Sequence, residues 1–466
     1  MATPALHAEK LEEFRKSLRG TMVQPGDDTY EELRRVWNGM IDKRPAVIAR
    51  CAGSADVMAS VRFARQNNLP IAVRGGGHNV AGTSVCDGGI VIDLAPMRDV
   101  RVDRSRSVVR VGGGSLLGDV DHEAQAFGMA VPVGVVPATG IGGLSLHGGL
   151  GFLTRKYGLT ADNLVSADVV TAQGELITAD ENTHQDLLWA LKGGGGNFGV
   201  VTSFEFQCHP VGPQVWFLLT HYPAARAREV IEAFRSFMPG APEEFMAMAI
   251  YWNAPEEASI PEEHWGSPVV TLVGCWCGPV EEGERITQPL REITTPVADL
   301  SGPMPYREVQ RLFEHDYPDG LRYYWKAMYV QDLSDDAIEL FCDAGGERPT
   351  PVTTVELWAL GGAMARVRPE ETAFFHREAP FLFNIEANWE DPATDEANIS
   401  WVRKRYQEAM RFSQGGTYLN FGGFLEEGEK MLVKSFGTNY QRIKEVKAQY
   451  DPENIFHHNL RIPTER

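Results

Sequence analysis

The chain has no apolar run approaching the roughly 18 residues that a membrane-spanning helix needs. Basic charge is scarce: 44 Lys and Arg face 63 Asp and Glu, a formal net charge of -19. Such a balance argues against nucleic acid or anionic membrane as a partner, and solubility is its plainest meaning. Only six cysteines occur, scattered as Cys51, Cys86, Cys208, Cys275, Cys277 and Cys342. That density excludes a disulfide scaffold and fits a reduced cytoplasm. Cys275-x-Cys277 lacks the spacing and the partners of a zinc site, so no metal is expected; on a strand the two point to one face, as core cysteines. The first residues lack the basic-then-apolar signal pattern, and the expected location is cytoplasmic. No internal repeat and no low-complexity tract is present.

With 466 residues, two or three packed units are expected. Up to about residue 210, short β-rich runs (90–94, 107–111, 166–170) alternate with helix-like segments (55–66, 116–127), the pattern of an α/β domain. From about 215 to 415 the strands turn aromatic and β-branched: 215–219, 246–252, 269–276, 323–329, 355–360 and 381–389. Helix-like segments at 224–237 and 335–342 lie between them. This second region reads as a mostly antiparallel sheet backed by helices. The last fifty residues look compact again.

Glycine is concentrated in three places. Residues 71–82 run from an apolar strand (Ile71, Ala72, Val73) into Arg74, Gly75, Gly76, Gly77, His78, Asn79 and on to Gly82. Three glycines let a backbone turn sharply against a ligand, and their N–H groups form a concavity suited to phosphate. A phosphate loop has no need of an imidazole, so His78 stands out. The run from Val135 to Gly151 is too rich in glycine for a stable ordinary helix and suits the wrapping of a large flat or charged ligand. The third cluster, Gly194-x-Gly196-x-x-Gly199, has dinucleotide spacing in the wrong context. A helix-like run (186–192) precedes it and a strand (200–202) follows, the reverse of a nicotinamide-binding loop.

Together these clusters resemble the FAD-linked oxidases of the vanillyl-alcohol-oxidase and p-cresol-methylhydroxylase type, in the berberine-bridge-enzyme-like branch that includes bacterial hydroxynicotine oxidase. The pieces that carry the resemblance are Arg74 to Asn79, Gly140 to Leu144, Gly148 to Phe152, Arg155 to Asn163, Trp189 to Val201 and Asn454 to Asn459. It implies an α+β fold: an FAD-binding domain over 1–215, an antiparallel-sheet substrate domain over 216–415, and a return to the FAD domain over 416–466. It makes His78 the covalent attachment point of FAD. It assigns FAD contacts to Arg74, Gly75, Gly76, Gly77, Asn79, Gly82, Pro137, Thr139, Gly140, Gly142, Gly143 and Gly148, with Val200 near the adenine and Asn459 near the flavin ring.

Two departures from the family pattern matter. Where many relatives carry a cysteine for a second flavin bond, this chain has Val136, so a single attachment is expected. Where many carry a catalytic tyrosine, it has Phe421 in Tyr418-Leu419-Asn420-Phe421. His147 replaces a usual glycine and is a further candidate cofactor contact. Glu356, on the strand before Gly361 and Gly362, is the first candidate for the missing base, with Tyr418, Tyr324 and Glu386 behind it. The plain alternative for Glu356 is an exposed strand residue, and for Trp325, Trp358 and Trp389 core packing is expected. The implied reaction takes a hydride from a small organic substrate (alcohol, sugar, amine or secondary metabolite) onto FAD. Thr139, at a position where relatives that are oxidases often carry a small β-branched residue, leans towards oxygen as final acceptor. A dehydrogenase using another acceptor, and a flavin carrier without turnover, remain the alternatives. Neither substrate nor oligomeric state is fixed by the sequence.

Overall fold

The computed structural model describes residues 6–424 and 426–464. Its first sheet has the strand order Thr21–Val23, Val47–Arg50, Ile90–Asp93, Ile71–Arg74, the last three parallel. Helix Ser54–Gln66 makes the crossover. It forms because Val57, Val61 and Ala64 recur on one face and are buried. Asp56 in its first turn accepts the backbone N–H groups of Arg19, Gly20 and Ala52 at 2.8–2.9 Å. The strand Ile90–Asp93 is apolar at three of its four positions and buried throughout, as a parallel strand covered on both faces must be.

The second sheet is antiparallel, in the order Val100–Asp103, Val108–Gly112, Val200–Gln207, Leu164–Val170, Leu176–Ala179. The α/β expectation therefore holds for the first sheet and not for this one. The strand following the third glycine cluster is Val200–Gln207, and helix Gln185–Leu191 precedes it, the order that excludes a nicotinamide loop. One expectation is corrected: the glycine-dense run does hold a short helix, Ile141–Leu146. Burial of Ile141 and Leu146 in the core beside the second sheet supplies what intrinsic propensity lacks.

The third and largest sheet is antiparallel, ordered Ala298–Asp299, Gln214–Pro223, Pro268–Trp276, Phe245–Asn253, Thr354–Ala359, Phe381–Trp389, Arg322–Val330. Its side chains alternate between two faces. Val355, Leu357, Phe383, Ile385, Tyr324 and Met328 pack with Val230, Ile231, Ile338, Phe341 and Val402 of the covering helices. Trp358, Leu382, Met246 and Phe217 on the opposite face meet Leu150, Phe152 and Leu159 from the first part of the chain. Cys275 and Cys277 lie in that same core. The overall architecture is α+β.

Helices Glu429–Phe436 and Tyr440–Tyr450 follow. Leu432, Phe436, Ile443 and Val446 share a core with Leu187, Leu191 and Phe204. Lys447 is fully buried; its ammonium donates to Asp451 at 2.6 Å, to the Asn197 carbonyl at 2.8 Å and to the Phe456 carbonyl at 2.9 Å. Among the described residues no helix is long and apolar enough to cross a membrane, and no cluster of His, Cys, Asp or Glu is arranged to hold a metal.

Removing one partner of a buried ion pair leaves the other charge uncompensated, a loss of about 3–5 kcal/mol. Lys447→Met is accordingly expected to lower the urea midpoint of unfolding by that equivalent. An unchanged midpoint would mean that the pair does not hold the C-terminal segment in place.

Candidate active site

A large cavity is formed where four pieces of backbone converge. They are the loop after Ile71–Arg74, the turn after Val108–Gly112, helix Ile141–Leu146 and strand Val200–Gln207. Gly76 and Gly140 touch backbone to backbone: a β-carbon on Gly76 would stand 2.4 Å from the Gly140 nitrogen, and one on Gly140 would stand 2.3 Å from the Gly76 nitrogen. Neither position tolerates a side chain. Gly143 differs. A β-carbon there would meet nothing within 4 Å, and the residue is exposed on the cavity wall. Inside a helix glycine is less favourable than alanine by about 1 kcal/mol, so its presence is explained by a ligand surface rather than by packing.

The wall carries no lysine or arginine. A phosphate-bearing ligand would meet backbone N–H groups and neutral side chains such as Asn79, Thr83 and Ser84. Two buried polar atoms on the wall, His78 Nε2 and Ser84 Oγ, have no hydrogen-bond partner within the protein. Burial pushes the His78 imidazole down to about 4, so it is neutral at physiological pH. Its ring stacks on Trp37 at 4.7 Å between centroids, and Trp37 in turn stacks on Tyr323 at 3.7 Å. Asn38 locks this arrangement: its amide donates to the carbonyls of Val80 and Tyr323, and its carbonyl accepts from Met40 and Tyr323 N–H.

Further along, His147 Nδ1 lies 3.1 Å from the Gly143 carbonyl and Nε2 lies 3.4 Å from the Asn459 amide. Donation from Nδ1 and acceptance at Nε2 make a consistent neutral ring, and burial lowers its pKa. Tyr418 turns its hydroxyl oxygen into the backbone: it accepts from Gly149 N–H at 3.1 Å, Leu150 N–H at 3.0 Å and the Asn420 amide at 2.9 Å. Burial outweighs those donors and pushes its phenol up to about 12.

The end of the cavity nearest the large sheet is aromatic, with Trp325, Trp358, Phe421 and Tyr317 on its wall. Phe421 sits edge-on to Tyr418 at 5.0 Å and to Trp325 at 5.8 Å. Just behind the wall, adjacent strands bring Glu356 and Glu386 together, both buried. Trp358 Nε1–H donates to Glu356 at 2.8 Å, and the Tyr317 hydroxyl donates to Glu386 at 2.8 Å. Burial raises both carboxyls, and mutual repulsion raises Glu386 further.

Of the expected cofactor residues, the wall includes Gly75, Gly76, Gly77, His78, Asn79, Thr139, Gly140, Gly142, Gly143, His147, Val200 and Asn459, together with Tyr418 and Val136. Four stand off it. Arg74 lies opposite Asp93 in the parallel ladder, and its guanidinium pairs with that carboxylate at 2.7 Å. Gly82 is pressed against Ile41, Gly148 against Phe374, and Pro137 backs Gly118, so these three serve packing. Glu356 is neither on the wall nor exposed. Tyr324 points to the helix-covered face, where it donates to Glu426. Trp325 and Trp358 line the cavity rather than only filling a core, whereas Trp389 is core. Trp37, Tyr317, Asn420 and Phe456 are among the wall residues that were not expected. Strand alternation alone would have placed Trp358 on the same face as Glu356; nothing local marked Tyr317.

A long, glycine-walled, cation-free cavity with an orphaned imidazole on one side and an aromatic pocket at one end defines a flavin-dependent oxidoreductase, and the residues present fit FAD. Comparison with known proteins agrees. The FAD binding domain family matches residues 45–180, and the berberine and berberine-like family matches 417–463. The chain is 32% identical to (R)-6-hydroxynicotine oxidase of Paenarthrobacter nicotinovorans, covering 96% of this chain and 98% of that one. It is 30% identical to an FAD-linked oxidoreductase of Bacillus subtilis, covering 96% and 97%. The solved 6-hydroxy-D-nicotine oxidase from Arthrobacter nicotinovorans superposes with a TM-score of 0.85 at 30% identity, over 96% of this chain and 99% of that one. The BBE-like 1 protein of Physcomitrella patens shares the fold, with a TM-score of 0.88 at 24% identity over 98% and 99% of the two chains. The chain belongs to the berberine-bridge-enzyme-like family of FAD-linked oxidoreductases. It is an enzyme that oxidises organic substrates with FAD.

Gly143→Leu tests the cavity wall. The variant should hold far less FAD per chain while its flavin-free form keeps the parent fold, with a helix-propensity gain of a few tenths of a kcal/mol up to about 0.8 kcal/mol. Undiminished FAD content, read from the visible spectrum, would show that no ligand covers Gly143.

Proposed function

We propose that this protein is an oxidase that carries FAD on His78 through one covalent bond, oxidises a small organic molecule and returns the electrons to oxygen. The observation that carries this reading is the unpartnered, neutral imidazole of His78, held by the Trp37 stack on the wall of the cavity. A neutral ring keeps a nitrogen lone pair for a bond to carbon, and the stack fixes its orientation. Val136 lines the same cavity and has no nucleophile, which supports single attachment.

Bound FAD supplies a two-electron acceptor for hydride. The protein's part is to hold it and to manage the proton. The backbone of Gly75 to Gly77 and of Gly140 to Gly143, with Asn79 and Thr139, would hold the cofactor; Val200 would lie at the adenine end. His147 and Asn459 would address its polar ring edge. The carboxyl of Glu356, kept out of water and raised by burial, is suited to accept a proton released as hydride leaves. Tyr418 is suited to shaping the pocket floor, since its oxygen is already committed to three N–H donors. In this reading 1–215 and 416–466 form the FAD lobe and 216–415 the substrate lobe. The hydrogen bonds of Tyr450 to Asp186 and of Lys447 to Asn197 support that division.

Acid precipitation is the direct test. The yellow colour should stay with the denatured chain, a peptide containing His78 should carry the flavin mass, and His78→Ala should release all of its flavin. Dithionite-reduced protein should recover its colour in air. Flavin found wholly in the supernatant, or on a cysteine peptide, overturns the attachment; a reduced flavin stable in air overturns the oxidase.

A further inference from the structure

Phe421 leaves the substrate pocket without the tyrosine that many relatives have, but a tyrosine enters from elsewhere. Tyr317 belongs to the connection between helix Tyr306–Val309 and strand Arg322–Val330, and it lines the aromatic end of the cavity. It is held firmly. Its carbonyl accepts Trp37 Nε1–H at 2.9 Å, and its ring stands edge-on to Trp325 at 5.6 Å. Trp325 is the same indole that Phe421 packs against. The Tyr317 hydroxyl lies 2.8 Å from Glu386 Oε2 and 3.3 Å from Glu356 Oε1.

The two carboxyls form one unit. Thr354 Oγ1 reaches both, at 3.2 Å and 3.5 Å, and the Asn384 amide donates to both. Every donor in contact with the pair is neutral: Tyr317, Thr354, Asn384 and Trp358. Among the described residues no lysine, arginine or histidine pairs with it. Two buried carboxylates with no cation beside them cannot both be ionised, so the unit holds at least one proton and has room for one more. Among the described residues, the links from the pair to the cavity wall are the indole of Trp358 and the Tyr317 O–H.

We propose that Tyr317 is the catalytic residue that takes the substrate's heteroatom proton, passing its own to the Glu386–Glu356 pair. The proposal rests on the functional reading above and deepens it. The substrate's O–H or N–H bond breaks and its proton goes to Tyr317 Oη, while the Tyr317 proton moves to Glu386 Oε2. Bound FAD would supply the acceptor for the adjacent C–H hydrogen, which leaves with both bonding electrons as hydride. A C=O or C=N bond forms, and the stored proton later returns to water. The substrate class is therefore an alcohol or neutral amine with hydrogen on the neighbouring carbon. Trp325, Trp358 and Phe421 favour one that carries an apolar ring. Glu386 and Glu356 act through Tyr317 and are positioning residues.

The pH dependence has a definite sign. Burial raises both carboxyls above the ordinary value of 4.5, and the charge of Glu356 raises Glu386 further. The relay works only when one carboxyl is free, so reduction should speed up as pH rises through that ionisation. Of the neighbouring groups, Asp316 acts on the Tyr317 phenol and Glu386 acts on that of Tyr323, and both effects hold the phenols in their neutral form.

The test uses the FAD-loaded protein under anaerobic stopped flow with a panel of benzylic and N-heterocyclic alcohols and amines. Tyr317→Phe should slow flavin reduction by about 10²–10⁴-fold and remove the rising limb of the pH profile. FAD content and reduction by dithionite should match the parent. Glu386→Gln should displace that limb while leaving Tyr317 in place. An independent readout is the infrared difference spectrum between acidic and alkaline pH: the buried carboxyl C=O band of the parent should lose intensity in Glu386→Gln and lose more in the Glu356→Gln, Glu386→Gln double variant. If Tyr317→Phe bleaches at the parent rate with the same limb, or if the band is absent from the parent, Tyr317 is a wall residue only. If no member of the panel bleaches the parent, the functional reading fails, and this proposal with it.

Discussion

The backbone of Gly76 rests on the backbone of Gly140 at a separation that no side chain could enter, and the cavity depends on that contact. It joins the loop leaving the parallel sheet to the helix that leans on the antiparallel sheet. Two sheets of different construction are thereby tied together, with a slot between the loops that leave them. Each loop then offers its peptide groups to the slot instead of side chains. An interior without cationic side chains follows, and binding must come from oriented N–H dipoles over a long contact. The same contact sets the height at which His78 leaves its loop, one residue after Gly77.

A second constraint is the alternation of the large sheet. Thr354–Ala359, Phe381–Trp389 and Arg322–Val330 each send apolar side chains to the covering helices. Their opposite face is mixed. It carries Trp358 and Trp325 beside Thr354, Glu356, Asn384, Glu386 and Asn388. A buried face with so many polar groups is unfavourable for folding alone. Most of these groups bond to one another, Trp325 to Asn388 and Trp358 to Glu356 among them, while Tyr317 reaches in from outside the sheet and Asn384 Oδ1 has no partner. The result is a rigid polar layer directly behind an apolar pocket.

How much of this was legible beforehand depended on whether a feature is local. The loop from Gly75 to Asn79 and the strands of the large sheet are continuous in sequence, so motif and periodicity found them. The family resemblance identified the cofactor for the same reason. Arg74 was named from the motif alone; strand register turns its side chain to Asp93, a pairing visible only in three dimensions. Trp37 and Tyr317 arrive from connections without motif or period, and their roles come from what they stack on. The short helix at Ile141 was missed because tertiary burial overrode glycine's low propensity. Glu356 was found, but its distance from the wall was not, since sequence gives the face of a strand and not the depth of the layer in front of it.

Phe456, His458 and Asn459 form part of the cavity wall, and Lys447 ties that segment to the carbonyl of Asn197. In the chain this segment is separated from the glycine loops by the whole of the large sheet, so the pocket is complete only when parts far apart in sequence have come together. Whatever binds in it therefore favours the folded chain over the unfolded one, and loosening the C-terminal helices would weaken that binding.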